Sequence, residues 1–183
     1  MPGRQDGTGI ADLAPLIVTA TLGSGDQRRF DALRRVHFPP ERNILNAHLT
    51  LFHHLPPARS DELRRLLKTL AAQHAPPPAM VSEVYSLGRG VAFRIDAPAL
   101  LDLRDRVAEW FAPDLTPQDS GRPRLHITVQ NKVDPPVAKA LLAELQRDFV
   151  PTPLIIAGFA IHHYRGGPWE LLADIVFRGS RCR

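Results

Sequence analysis

One cysteine, Cys182, occurs in 183 residues. That excludes a disulfide framework and a multi-cysteine zinc site, and makes a reducing compartment the expected setting. Lysine is nearly as scarce, with only Lys68, Lys132 and Lys139. The net charge of +4 and the pI near 9.8 therefore rest on arginine, whose planar fork suits phosphate better than a point charge does. Such an excess fits an anionic ligand without selecting one. No apolar run approaches the roughly 20 residues of a membrane span, and the polar start MPGRQDGTGIAD lacks the apolar centre of a signal peptide. The expected location is cytoplasmic, with no membrane partner. Residues 1–12 read as a disordered tail. Residues 13–178 read as one domain, expected to be monomeric, and the hydrophobic fraction of 44% is ample for its core.

Two stretches carry the chemistry, NAHLTLFHH at 46–54 and RLHITVQNK at 124–132. Each contains His-x-Thr-x in an apolar run: His48 with Thr50, and His126 with Thr128. With eight histidines and eight threonines in the chain, chance supplies roughly 0.35 such triplets, so a matched pair points away from accident. Alternation along a strand puts Asn46, His48, Thr50 and Phe52 on one face. In the second stretch it puts Arg124, His126, Thr128 and Gln130 together. Each strand would then bury one face and present an imidazole beside a hydroxyl on the other.

Apolar periodicity predicts the remaining elements. A strand at Pro15–Leu22 precedes a helix over Gln27–His37 capped by Asp26, and the first motif strand spans Ile44–His53. A helix from Ser60 to about His74 leads to a strand at Met80–Leu87 and the turn Gly88-Arg89-Gly90. A strand at Val91–Ile95 follows, then a helix after Pro98, a loop over Thr116–Pro123 and the second motif strand at Leu125–Val133. The series ends with a helix over Val137–Phe149 and strands at Leu154–His162 and Trp169–Phe177. Strand, helix, motif strand, helix, strand thus occurs twice, at about 14–88 and 90–178, with the two motifs in equivalent positions. The expected fold is mixed α+β: a bilobal, duplicated β-α-β-α-β unit with two mostly antiparallel sheets flanking a cleft.

The pairs His53-His54 and His162-His163 do not read as metal ligands, because adjacent strand residues point to opposite faces. Tyr164, Arg165 and Trp169 surround a Gly-rich turn, which reads as a hairpin with flanking aromatics or as a base-stacking rim with a phosphate contact.

Two histidines across a cleft can divide proton transfer, one neutral as base and one charged as acid, because an imidazole near pKa 6.5 supplies both forms. Threonine hydroxyls beside them can donate to non-bridging phosphate oxygens. The paired motifs within a duplicated unit resemble the 2H phosphoesterase superfamily, in particular its bacterial 2′-5′ RNA ligase and cyclic phosphodiesterase (LigT-like) branch. The resemblance spans about Pro15 to Phe177. It implies a metal-independent site without cofactor, acting on 2′,3′-cyclic or 2′-5′ phosphodiesters at RNA ends or in small nucleotides. It makes His48, Thr50, His126 and Thr128 catalytic, with His126 as base and His48 as acid. Many relatives carry an arginine shortly after the motif threonine. Here Phe52-His53-His54 and Gln130-Asn131-Lys132 stand there, so Lys132, Arg124 or Arg89 is expected to supply the charge, with Gln130, Tyr164, Arg165 and Trp169 as further substrate contacts. The alternative is a nucleotide- or RNA-end-binding module with little turnover.

Overall fold

The computed structural model describes residues 14–180; the segment 1–12 expected to be a disordered tail, and Cys182, lie outside the described residues. Within them the chain runs β1 Leu16–Leu22, α1 Ser24–His37, β2 Leu49–Leu55, α2 Ser60–Gln73, β3 Pro78–Ser86, β4 Val91–Asp96, α3 Pro98–Trp110, α4 Pro117–Ser120, β5 His126–Gln130, α5 Pro135–Arg147, β6 Thr152–His163 and β7 Glu170–Val176. All strand pairings are antiparallel, along the path β2-β1-β6-β3-β4-β5 with β7 added to β6. This is the expected α+β fold, with the repeat β1-α1-β2-α2-β3 answered by β4-α3-β5-α5-β6.

The lobes, however, are not the two halves of the chain. The third strand of each repeat crosses over. β3 pairs with β4, and β6 pairs with β1 through Ile156–His163 while its first residues, Thr152–Ile155, pair with β3. β6 is therefore common to both lobes. The ends of the path, β2 and β5, return to within 8 Å of each other between Cα atoms, which brings the two motif strands together. A single apolar cluster holds the assembly, including Leu16, Val18, Leu49, Phe93, Ile127 and Phe159. Each such side chain contributes about 1.5–3 kcal/mol on full burial.

α1 begins at Ser24 rather than after Asp26, because Gly23 docks on β6. The Gly23 N–H donates to the Ile155 carbonyl at 2.8 Å, and a Cβ there would lie 2.8 Å from the Ile155 side chain. Asp26 does not cap the helix; its carboxylate accepts the Ile155 N–H at 2.9 Å. Phe30 of α1 then meets Phe93 of β4 edge-on at 5.3 Å. The first repeat's helix thus covers the second repeat's strands.

Strict alternation fails in both motif strands, and at the same place. Thr19 pairs with Thr50 and Val18 with Phe52, so Leu51 is an inserted residue. Ala92 pairs with Thr128 and Val91 with Gln130, so Val129 is inserted in the same way. A bulge places two residues against one and turns the following side chain over. Phe52 and Gln130 are therefore rotated off the His/Thr face, and both are buried. Gly90 permits the second bulge, since a Cβ there would lie 2.1 Å from the Gln130 carbonyl oxygen. The stretch expected to be a loop, 116–123, contains the short helix α4, and its Asp119 is 1% exposed.

Candidate active site

His48 lies one residue before β2, and His126 opens β5. The Nδ1 of His48 sits 2.8 Å from the Asn46 carbonyl, and the Nδ1 of His126 sits 2.8 Å from the Arg124 carbonyl. A carbonyl only accepts, so in each imidazole Nδ1 carries the hydrogen and, in the neutral ring, Nε2 is the free acceptor. The two motifs thus share one orienting device, the carbonyl two residues upstream. Thr50 and Thr128 follow on the same face, half-buried, opposite Thr19 and Ala92.

Burial is the main force on His48, and it pushes the pKa down to about 4. The hydrogen bond to Asn46 opposes this, while the positive charges of Arg34, His126 and His162 reinforce it. His48 is therefore neutral at pH 7 in the unliganded protein. Its ring lies against Trp169, with centroids 4.7 Å apart, and Trp169 also meets His162 at 5.5 Å. His162 Nε2 is 3.2 Å from the Thr19 hydroxyl. Burial pulls the His162 pKa down as well, and the nearby Asp174 only partly offsets this. Tyr85 meets His126 edge-on at 6.3 Å.

A cavity of about 460 Å³ opens on this face, with Arg34, His48, Thr128, Asn131, Tyr164 and Trp169 in its wall and no carboxylate among its lining residues. A second, of about 560 Å³, shares His48 and Trp169 with the first and includes Thr19, Asn46, His162 and Asp174. Among the described residues no group of three or more His, Cys, Asp or Glu side chains is placed to hold a metal ion, and no helix is long and apolar enough to cross a membrane.

The expected substrate contacts separate. Tyr164 and Trp169 line the cleft. Arg165 is engaged by Glu170 at 2.8 Å. Gln130 is 3% exposed, faces away from the motif residues and leaves its Oε1 without a partner. Arg124 and Lys132 are exposed, and Arg89 approaches Asp134 at 3.6 Å; none of the three lines either cavity, and of the motif residues His48 and Thr128 do so whereas Thr50 and His126 do not. Two arginines do line the cleft cavity: Arg42, exposed and 4.0 Å from Glu41, and Arg34, buried in α1. The signal of Arg34 in the sequence was a spacing: an arginine four residues from Phe30 and four from Phe38, on the buried side of a helix. His53, in the sequence only half of an adjacent histidine pair, is a further residue at this face. It lines the cleft cavity, anchored to the buried Asp119 of α4.

The sequence profile of the 2′-5′ RNA ligase superfamily matches residues 23–168. The chain belongs to this superfamily. No curated protein matches the sequence. Among solved structures, this superfamily member is similar to a protein of Thermus thermophilus, with 18% identity, a TM-score of 0.62 and coverage of 91% of this chain and 100% of that one. It is similar as well to Escherichia coli LigT. The form complexed with 3′-AMP gives 18% identity and a TM-score of 0.54 over 90% of this chain and 98% of LigT. The form complexed with NADP+ gives the same identity and coverages and a TM-score of 0.57. At these identities the likeness is one of fold.

Proposed function

We propose that this protein is a metal-independent phosphodiesterase that opens 2′,3′-cyclic phosphates, at RNA ends or in nucleotides, to 2′-phosphates, and that the same ring opening by a 5′-hydroxyl in place of water joins ends through a 2′-5′ linkage. The observation that carries the reading is the matched pair of imidazoles. Each is held through Nδ1 by the carbonyl two residues upstream, and His48 lines a cavity with Arg34 and Thr128 in its wall and no carboxylate.

The proposed step begins with His126 Nε2 taking a proton from water. The water oxygen attacks phosphorus, the bond from phosphorus to O3′ breaks, and His48 gives its proton to O3′. Thr50 and Thr128 donate to the non-bridging oxygens as charge builds there. His48 is neutral near pH 7 without ligand, so the bound anionic phosphate must raise the His48 pKa for the imidazole to carry the proton it later gives away. Tyr164 and Trp169 offer faces for a base, and the 3′-AMP and NADP+ complexes of LigT fit a nucleotide ligand. The test is turnover of a 2′,3′-cyclic nucleotide in the presence of EDTA, with the product identified. A 2′-phosphate formed at an undiminished rate supports the reading; loss of turnover with recovery on adding a divalent ion defeats it.

A further inference from the structure

We propose that Arg34 is the cleft's phosphate-binding cation, gripping the non-bridging oxygens of the phosphate that the two motif histidines flank. This rests on the phosphodiesterase reading for the identity of the anion. It goes beyond that reading by naming a residue outside both motifs.

Arg34 is 4% exposed, yet it lines the cleft cavity beside His48 and Thr128. Its Nη1 donates to the Thr128 carbonyl at 2.9 Å, its guanidinium lies 4.1 Å from the Phe38 ring centroid, and its Nε has no partner. No ion pair joins it to a carboxylate among the described residues; Asp31 acts on it only through space. Burial lowers its pKa, but a guanidinium does not give up its proton in a protein. A buried cation without a counterion costs folding energy, and an arriving anion would relieve that cost.

The repeat provides an internal control. Arg104 stands on the buried side of α3, the helix that answers α1 in the second repeat, equally buried and also with an unpartnered Nε. It is neutralised where it sits. Asp105 lies 3.5 Å away, the Asp119 carbonyl accepts from Nη2, and the guanidinium stacks at 4.4 Å on Phe52. Arg104 lines neither cleft cavity. The duplication thus buries an arginine twice, and leaves uncompensated the one that faces the site.

The test uses the full chain, with inorganic phosphate as probe, in calorimetric titrations of the wild type, Arg34→Gln and Arg34→Lys alongside thermal melts and cyclic-nucleotide turnover. Glutamine keeps a donor for the Thr128 carbonyl and removes the charge. We expect Arg34→Gln to melt near the wild-type temperature and to bind phosphate at least about tenfold more weakly, with turnover down about a hundredfold. Arg34→Lys should recover part of the phosphate affinity. Undiminished affinity in a folded Arg34→Gln variant, failure of both variants to fold, or absence of phosphate binding in the wild type would overturn the proposal. Phosphate binding that depends on Arg34, in a protein that opens no cyclic phosphodiester, leaves it standing and removes the phosphodiesterase reading instead.

Discussion

The buried carboxylate of Asp119 accepts hydrogen bonds from the backbone N–H groups of His53 at 3.0 Å and His54 at 2.8 Å, and from the His53 imidazole at 3.1 Å. A four-residue helix before the second motif thereby fastens the end of the strand that carries the first. Burial alone would raise the Asp119 pKa, but the bonds from His53 and His54 outweigh it and hold the group below its ordinary value. Its folded pKa is thus below its unfolded one. The stabilisation is present above the unfolded pKa and is lost as pH falls through the folded pKa. Asp119→Ala should cost about 3–5 kcal/mol, because it strands two N–H groups and removes a charge near Arg104. Urea denaturation at pH 7 checks this; a loss below about 1 kcal/mol would mean that the clamp contributes little.

The division of labour between the motif histidines has its own test. His48→Ala and His126→Ala should each lower turnover of a 2′,3′-cyclic nucleotide about a hundredfold or more, and Thr50→Ala or Thr128→Ala should slow it with the fold intact. A nitrophenyl phosphodiester has a leaving group that needs no proton. On that substrate His48→Ala should be largely rescued and His126→Ala should not. The opposite pattern reverses the roles, and rescue of neither counts against an acid–base pair.

Because burial holds His48 near pKa 4 against an ordinary value of 6.5, anion binding should take up a proton. Sulfate, which does not titrate in this range, should bind more tightly as pH falls from 7 towards 5, by up to about tenfold per unit for one coupled proton. Calorimetry in buffers of different ionisation enthalpy reads that uptake, and His48→Gln should abolish it. The same depression has a stability sign. The unfolded chain binds the proton first, so stability falls as pH drops from about 6.5 to about 4, by about 3 kcal/mol in all. His48→Gln should be correspondingly less sensitive to acid, and equal acid sensitivity in both proteins would show that His48 is not the group responsible.

Gln130 provides a negative case. Its side chain is buried on the face away from the motif residues with an unsatisfied Oε1. Gln130→Met should therefore leave turnover within about twofold and stability unchanged or higher by about 1 kcal/mol, since the desolvated oxygen is removed. A large loss of activity in a stable variant would restore Gln130 as a substrate contact.

Much of this was legible in the sequence. Period-2 and period-3.6 apolar spacing located the strands and the longer helices, and two short triplets at equivalent points of a repeat marked β2 and β5, which the fold brings within 8 Å of each other between Cα atoms. Two things were not legible. An alternation rule counts residues and cannot see the one inserted at Leu51 or Val129, which is why Phe52 and Gln130 were expected on the wrong face. Nor can it see a residue brought in from another element. Arg34 meets Thr128 across 94 positions of chain, and Asp119 lies in a polar stretch with no periodicity. The strand exchange was hidden for the same reason: element order is the same whether β3 stays with its own repeat or crosses to the other.

That exchange determines how the cleft can move. β6 is twelve residues long and forms part of both walls. The walls are therefore not two bodies on a flexible tether but two ends of one continuous ribbon, at least where β6 runs. A relative movement of the two walls would have to coil that ribbon near Ile155–Ile156, where its partner changes from β3 to β1. The molecule resembles a torsion spring more than a jaw. Its resting aperture is set by the natural twist of a β-strand, rather than by the length or composition of any loop.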